Sequence, residues 1–250
     1  MSTEQQDVID HFTARSGTYD GSSSWCTDQG LHRLVVSAAR PAPGDEVLDV
    51  ACGTGLVSRL FKGRVRRVVG VDITEDMADQ ARPHLDELVI APAEALPFPS
   101  GSFDVVVSRQ GIQFMSLPEA VREMFRVLRP GGRLVLVNLC AYGPEDAPEY
   151  FEVLRLRNPV RRHFFHPDDL GSLLRDAGCA DLHTQRYVSE EDIDVWSDNG
   201  AIAEDRREAI REVYRNASPA FRRLHEVRTE NGRYVDRMLF VVASGLRPAQ

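Results

Sequence analysis

Lysine is nearly absent from this chain, because Lys62 is the only one and the remaining positive charge is carried by arginine. The 30 basic residues are outnumbered by 38 acidic ones, which gives a formal net charge of −8. The sequence contains no basic block that could follow a nucleic-acid backbone. We therefore expect no nucleic-acid partner.

Cysteine is also scarce. The four cysteines are far apart and form no C-x-x-C pair, which argues against a zinc site or a disulfide framework and is compatible with a reducing compartment. No apolar run approaches the roughly 20 residues that a membrane-spanning helix needs. We expect a cytoplasmic protein with no membrane association and no metal site.

The first 140 residues alternate between short apolar runs and segments with helical spacing. Strands are predicted at these five positions: 46–51, 66–73, 87–91, 103–110 and 134–139. Helices are predicted between them, among others at 56–63, 74–85 and 117–128, the last one stopped by the sequence RPGGR. Strands that alternate with helices form βαβ units, and their continuous Val/Leu character is typical of a parallel sheet buried on both faces.

The pattern changes after residue 139. Residues 140–166 are mixed, 166–178 read as a capped helix, 181–189 as a strand, and 190–228 as mainly helical. The apolar stretch 234–245 is predicted to be the final strand.

The sequence VLDVACGTG at 47–55 ends the first strand in a turn of small residues, where a backbone can approach a ligand closely. A dinucleotide site needs G-x-G-x-x-G, and Gly53 and Gly55 supply only two of the three glycines. A glycine turn of this kind binds either a dinucleotide or a ligand with a cationic α-amino group. Asp49 separates these two classes, since an acid under the turn would repel a pyrophosphate but suit an α-amino group. Asp72, at the end of the second strand, is placed to bind a ribose diol in either class.

With these residues the sequence resembles the class I S-adenosylmethionine-dependent methyltransferases. The pattern Asp49-x-Ala51-x-Gly53-x-Gly55 matches their first motif, and Asp72 matches their ribose-binding acid. The segments 93–115 and 127–138 resemble the ubiquinone/menaquinone-type subgroup. The resemblance implies a Rossmann-like α/β fold with a seven-stranded sheet, its last strand antiparallel, and helices on both faces.

The resemblance also implies roles for individual residues toward S-adenosyl-L-methionine. Ala51, Gly53 and Gly55 would line the methionine part, while Asp72 would bind the ribose. The other implied positions are Ile73 and Met77 beside the adenine, Ala93 and Glu94 near its edge, Ser108 and Arg109 facing the sulfonium, and Tyr19 closing over the cofactor. Pro92 stands where the family commonly has an acid, so the contact to the adenine amino group is left to Glu94 or to the backbone.

His163 lies in the segment RRHFFHPDD, which the family places near the substrate entrance. It is the candidate general base for a hydroxyl acceptor, because histidine titrates near neutral pH. The alternative is a structural or surface histidine.

The sequence therefore predicts one methyltransferase domain over 1–250. Its parts are an N-terminal helical cap (1–40), a cofactor-binding core (41–139), a substrate-side segment (140–233) and the final strand (234–245). The predicted reaction is methyl transfer to the oxygen or carbon of a small-molecule metabolite by a monomer or homodimer. Two alternatives stay open, namely a cyclase or decarboxylase on the same cofactor site, and a non-catalytic cofactor-binding regulator.

Overall fold

The structure is a computed structural model that describes residues 2–249. Met1 and Gln250, the two ends of the predicted domain range, lie outside the described residues. Eight strands occur in the described part: β1 Glu46–Val50, β2 Arg67–Asp72, β3 Glu87–Ile90, β4 Phe103–Arg109, β5 Leu128–Cys140, β6 Ala180–Asp192, β7 Arg228–Glu230 and β8 Arg233–Leu246. The described part also contains ten α-helices: α1 Thr3–Arg15, α2 Gln29–Ala39, α3 Ser58–Phe61, α4 Glu75–Ala81, α5 Glu119–Val127, α6 Ala147–Arg157, α7 Asp169–Asp176, α8 Ile193–Ser197, α9 Glu204–Arg215 and α10 Pro219–Leu224.

All eight strands belong to one sheet, ordered β3-β2-β1-β4-β5-β8-β6, with β7 paired to β8. Strands β1 to β5 pair in parallel. Strand β8 runs antiparallel between β5 and β6, and its residues Met238–Val242 are fully buried. The predicted sheet with a reversed, buried last strand is therefore confirmed, and the short strand β7, Arg228–Glu230, is an addition that was not predicted.

Alternate residues of the central strands enter two separate apolar cores. On β4, Val105 and Val107 join one core and Val106 joins the other; on β1, Val47 joins the first core and Leu48 and Val50 join the second. Successive side chains of a strand point to opposite faces, so both faces of the sheet are covered. This explains why the strand sequences are apolar throughout rather than alternating.

Several predicted element boundaries differ from the structure, among them those of α3, α4 and β5. Helix α3 covers only Ser58–Phe61 of the predicted 56–63. Helix α4 ends at Ala81 and continues as a 3₁₀ turn over Arg82–His84, because Pro83 has no N–H for a further helical bond. Strand β5 begins at Leu128 rather than at 134, and Gly131 with φ +80° lies where its register to β4 shifts.

Helix α6 was not predicted, since its sequence APEYFEVLRLR mixes apolar and charged residues without a clear apolar stripe. Within residues 2–249 no helix has the length and apolarity that crossing a membrane requires.

Candidate functional site

The main pocket opens at the carboxyl ends of β1, β2 and β4. Strand β1 lies between β2 and β4 in the sheet. The strands that follow β1 therefore extend the sheet first on one side of it, as β2 and β3, and then on the other, as β4 and β5. Such a switch point creates a crevice where α/β proteins bind ligands. Ten of the sequence-predicted residues line this pocket: Tyr19, Asp49, Ala51, Gly53, Asp72, Ile73, Met77, Ala93, Glu94 and Arg109.

The turn after β1 is built from left-handed backbone. Ala51, Gly53 and Gly55 have φ values of 58°, 52° and 83°. The Cys52 N–H donates to the Val71 carbonyl at 3.0 Å, and the Gly55 N–H donates to the Cys52 carbonyl at 2.9 Å. The turn is thereby tied to the end of β2, and its small residues leave the crevice open.

Gly55 does not line the pocket. A Cβ at this position would lie 3.0 Å from the Cα of Ala81 in α4 and 3.2 Å from the His84 ring. The glycine therefore permits close packing of the turn against α4, which is a structural requirement beside the predicted role toward the methionine part.

Asp72 ends β2 and is 9% exposed. Its two carboxylate oxygens accept from the backbone N–H groups of Gly53 and Thr74, each at 2.8 Å. Burial raises the pKa of the Asp72 carboxyl above its ordinary value, against the opposing effect of these backbone bonds. The carboxylate thus fixes the glycine turn to the start of α4 and still lines the pocket.

Asp49 lies under the turn and is 1% exposed. The Ser58 hydroxyl donates to its Oδ2 at 2.6 Å. Burial raises the pKa of Asp49 to about 6, while the hydrogen bond from Ser58 and the charge of Arg109 favour the ionised form. One carboxylate oxygen remains without a side-chain partner among the described residues, which leaves it available to a cationic group in the pocket.

The predicted adenine positions lie together on the β2–β3 side. Met77 is 3% exposed, and its Cε is 3.4 Å from where a Cβ on Gly53 would be. Glu94 Oε1 accepts from the Ser116 N–H at 2.6 Å, so this carboxylate also holds the loop after β4. Ala93 and Pro92 complete this wall.

Arg109 and Ser108 end β4 but lie on opposite faces, as adjacent residues of a strand do. Arg109 lines the pocket and its guanidinium lies 5.3 Å from the centre of the Trp25 ring. Ser108 is fully buried, its hydroxyl has no hydrogen-bond partner in the described part, and it lies outside the pocket lining. Only one residue of this pair therefore reaches the crevice.

Tyr19 lines the pocket from the connection between α1 and α2. Its ring packs edge-on against Trp25 at 6.3 Å, and the Arg15 guanidinium lies 5.0 Å from its centre. The neighbouring Asp20 accepts from the Thr54 hydroxyl at 2.5 Å. The Tyr-Asp pair is thus docked directly onto the glycine turn.

His163 lies outside the pocket lining. Its Nε2 donates to the Met115 carbonyl at 3.0 Å, and burial lowers the pKa of the ring below its ordinary value. Met115 itself lines the pocket, so the histidine is bonded to the backbone of a pocket-lining residue in the loop after β4.

Several lining residues were not singled out from the sequence: Gln5, Val8, Phe12, Gln110 and Arg162. The first three lie on α1 with spacing i, i+3 and i+7, which places them on one helix face. That periodicity was a usable signal for a half-buried face of α1. It does not reveal that this face covers a ligand crevice, because no local pattern encodes where the helix packs.

Comparison with known proteins agrees with this geometry. Residues 48–136 match the "Methyltransferase domain" family Methyltransf_11. The chain is 32% identical to the malonyl-[acyl-carrier protein] O-methyltransferase of Serratia marcescens, over 56% of this chain and 55% of that protein. It is 38% identical to the demethylmenaquinone methyltransferase of Symbiobacterium thermophilum, over 42% of this chain and 46% of that protein. The chain therefore spans about half the length of these curated relatives.

A longer match is the uncharacterized methyltransferase YcgJ of Bacillus subtilis, 30% identical over 71% of this chain and 74% of that protein. Its crystal structure superposes with a TM-score of 0.81, covering 89% of this chain and all of that one, and at 23% identity this likeness concerns the fold. The glycine turn, the two strand-end acids and these relatives lead to one conclusion: the chain belongs to the S-adenosylmethionine-dependent methyltransferases.

Proposed function

We propose that this protein transfers the methyl group of S-adenosylmethionine to a small-molecule acceptor, with an oxygen or carbon acceptor preferred. The observation that carries the proposal is the pair of buried carboxylates, Asp49 and Asp72, at adjacent strand ends on either side of the glycine turn. Two buried acids lining one crevice favour a ligand that has hydrogen-bond donors or positive charge. The amino group and ribose diol of S-adenosylmethionine meet that requirement.

The other lining residues fit the same ligand. Asp49 would bind the amino group, Asp72 the ribose hydroxyls, and Ile73 with Met77 the adenine face. Ala51 and Gly53 present no bulky side chain beside the methionine part. Glu94, already bonded to Ser116, would meet the adenine edge and couple its binding to the loop after β4.

When bound, S-adenosylmethionine supplies a methyl group on a sulfonium, which is an activated electrophile. The chain's own contribution is orientation and exclusion of water. Gln5, Val8 and Phe12 of α1 cover the crevice, and Asp20 fastens the following segment to Thr54. We therefore assign the covering role to the N-terminal segment 1–40, cofactor binding to 41–139, and acceptor selection to 140–233, with 234–245 as the closing strand of the same domain.

The test of the proposed function is calorimetric titration of the purified protein with S-adenosylhomocysteine, followed by incubation with labelled S-adenosylmethionine and fractionated metabolites. The expected result is binding, and release of S-adenosylhomocysteine in step with a methylated product. Product formation without S-adenosylhomocysteine release would instead assign a cyclase or decarboxylase chemistry. Binding without any product from any fraction would favour the regulatory alternative.

His163 remains our proposal for a general base toward a hydroxyl acceptor, acting through Nδ1 because Nε2 donates to Met115. His163→Ala should then lower turnover by roughly 10²-fold with little change in cofactor affinity. His163→Gln separates the roles, since glutamine can still donate to the Met115 carbonyl but cannot take the proton. Recovery of His163→Gln to within about threefold of the parent would assign the histidine to loop positioning instead.

The remaining assignments concern context. The cysteines are free and buried within the described residues, and on that basis we propose a cytoplasmic location. The negative net charge supports a small-molecule acceptor rather than a nucleic acid. Sedimentation of the purified protein would distinguish the monomer from the homodimer.

A further inference from the structure

The pocket has two chemically different sides, which we call the carboxylate side and the arginine side. Three carboxylates, Asp49, Asp72 and Glu94, line the part formed by β1, β2 and β3. The part formed by the end of β4 and the segment after α1 presents Arg109, Gln110 and Tyr19. The first side is used by the cofactor in the proposed function, and the second side presents groups that can donate hydrogen bonds.

Arg109 is the charged residue of the arginine side. The residue is 7% exposed, and its Nη1 is buried without a hydrogen-bond partner. Throughout residues 2–249, no salt bridge and no hydrogen bond of its guanidinium is found. The centre of the Trp25 ring lies 5.3 Å from the guanidinium carbon. A buried charge without a hydrogen-bonded partner is strongly unfavourable, so this arginine is prepared for a ligand that supplies one.

Two buried carboxylates, Asp49 and Glu191, lie near this side, and the charge of Asp49 acts on Arg109 without a direct contact. Asp49 accepts from Ser58. Glu191, 2% exposed, accepts from the Ser24 hydroxyl at 2.7 Å and from the backbone N–H groups of Ser24 and Trp25 at 2.9 Å and 3.2 Å. Neither forms a salt bridge to Arg109, so the protein supplies no internal counter-ion within contact distance.

Gln110 and Tyr19 add two further free donors. The Gln110 Oε1 accepts from Gln113 at 3.0 Å, while its Nε2 is buried with no partner in the described part of the chain. The Tyr19 hydroxyl likewise makes no hydrogen bond to residues 2–249. Together with the guanidinium, the arginine side thus presents three kinds of N–H or O–H group and no carboxylate.

Two more buried arginines lie behind Tyr19. The Arg15 guanidinium is 5.0 Å from the Tyr19 ring centre, and its Nε and Nη2 are buried without partners. Arg157 donates only to neutral oxygens of Trp196, Ser22 and Ser23. Burial, followed by the charge of Arg15, lowers the pKa of Arg157 to about 9.

We propose that the arginine side of the pocket binds an oxyanion of the methyl acceptor, a carboxylate or a phosphate. Arg109 is the principal residue that binds it, and Gln110 and Tyr19 donate supporting hydrogen bonds. The inference rests on the proposed function, which places the cofactor against Asp49, Asp72 and Glu94, and it replaces the role toward the cofactor that the resemblance implies for Arg109 and Tyr19. Arg109 then determines specificity, since an uncharged analogue of the acceptor would leave the guanidinium buried and unpaired.

The experiment uses the parent protein saturated with S-adenosylhomocysteine and titrated with benzoate and phenyl phosphate as anionic probes. Benzamide serves as the uncharged probe. Arg109→Gln removes the charge, Arg109→Lys keeps it, and Arg64→Gln removes an exposed charge far from the pocket. Thermal unfolding of each variant establishes that it is folded.

The expected result is that the parent binds at least one anion and not benzamide, and that Arg109→Gln weakens anion binding at least tenfold, as the loss of one charge-assisted hydrogen bond requires. Arg109→Lys should retain part of the affinity and Arg64→Gln all of it. The relative affinities for benzoate and phenyl phosphate identify which oxyanion the site takes.

The competing source of an anion is the cofactor's own carboxylate. Each variant is therefore titrated with S-adenosylhomocysteine and with 5′-methylthioadenosine, which lacks the amino-acid part. Arg109→Gln that loses affinity for the first and keeps it for the second assigns Arg109 to the cofactor and overturns the proposal, as does a parent that binds neither anion. A parent that fails to bind S-adenosylhomocysteine refutes the proposed function separately, and its anion titration is then read on the ligand-free protein.

Discussion

Asp72 combines two roles in one carboxylate. Its oxygens already accept from the backbone N–H groups of Gly53 and Thr74, so its position in the crevice is set before a ligand binds. Such preorganisation reduces the entropic cost of binding. The residue therefore contributes both to the geometry of the turn and, in the proposed complex, to the ribose contact.

Asp72→Ala should weaken S-adenosylhomocysteine binding at least tenfold, because a hydrogen bond to a charged group contributes roughly 1.5–3 kcal/mol. Calorimetry measures the affinity, and circular dichroism establishes that the variant is folded. Asp76→Ala is the matched control, since Asp76 is an exposed acid in the first turn of α4. Equal affinity of folded Asp72→Ala and the control would refute the ribose assignment.

Gly55 and Gly63 separate two costs of replacing a glycine. Both have left-handed backbone, with φ values of 83° and 77°. A Cβ at Gly55 would collide with Ala81, whereas a Cβ at Gly63 would meet nothing within 4 Å. Gly63→Ala should therefore show the backbone cost alone, and Gly55→Ala the backbone cost together with overpacking against α4.

We expect Gly63→Ala to lower the free energy of unfolding by roughly 1–2 kcal/mol and Gly55→Ala by roughly 2–4 kcal/mol. Urea denaturation of the two variants measures the difference. Similar losses in both would show that α4 moves away from the turn at little cost.

At the scale of elements, His225 joins three parts of the chain. It follows α10, and its ring is fully buried between Asp146, which precedes α6, and Asp236 of β8. Its Nε2 and Nδ1 lie 3.0 Å and 2.8 Å from the two carboxylates. Carboxylates accept, so both ring nitrogens donate and the ring is an imidazolium. Burial opposes that charge, but the carboxylates outweigh it and raise the pKa of His225 to about 9.

This network predicts a pH dependence of stability. The folded-state pKa of His225 is above its ordinary value of 6.5, so the stabilisation is complete below about pH 6.5 and is lost as the pH rises through about 9. We expect the free energy of unfolding to fall by roughly 2–3 kcal/mol over this window.

The measurement is urea denaturation at several pH values between 6 and 10. His225→Gln should be less stable at pH 6.5 and should lose most of the slope. His183→Gln, which alters an exposed histidine beside Asp181, should retain it. A slope unchanged in His225→Gln would assign the pH dependence to other groups.

At the scale of the whole molecule, the crevice is closed by α1, which is distant in sequence from most of the lining. Gln5, Val8 and Phe12 face the same pocket as the ends of β1, β2 and β4. A ligand bound there contacts both the N-terminal segment and the sheet. Its binding should therefore stabilise α1 together with the core.

S-adenosylhomocysteine at a hundred times its Kd should raise the free energy of unfolding by about 2.7 kcal/mol, if it binds the folded state alone. Hydrogen exchange should slow in α1 as well as in the turn after β1, since both contact the ligand. The comparison is made with and without ligand on the same protein. Unchanged exchange in α1 beside slowed exchange at the turn would show that α1 does not cover the bound cofactor.

The sequence by itself determined the central sheet and the cofactor motif. Continuous apolar runs predict strands buried on both faces, and the glycine turn with Asp49 and Asp72 predicts the ligand at their ends, because each signal lies within a few consecutive residues. The additional strand β7 and helix α6 were missed, since they have no strong local periodicity and depend on pairing and packing partners. Boundaries shifted where Pro83 and Gly131 altered a helix and a strand.

Only the tertiary structure decided which side chains meet. Ser108 and Arg109 are neighbours in sequence, yet strand alternation sends only Arg109 into the pocket. The contacts of Arg109 with Trp25 and of His225 with Asp146 join residues more than 70 positions apart. Such contacts arise from how helices and strands pack. The arginine side of the pocket and the buried imidazolium therefore exist only in the folded chain and could not be predicted from the sequence.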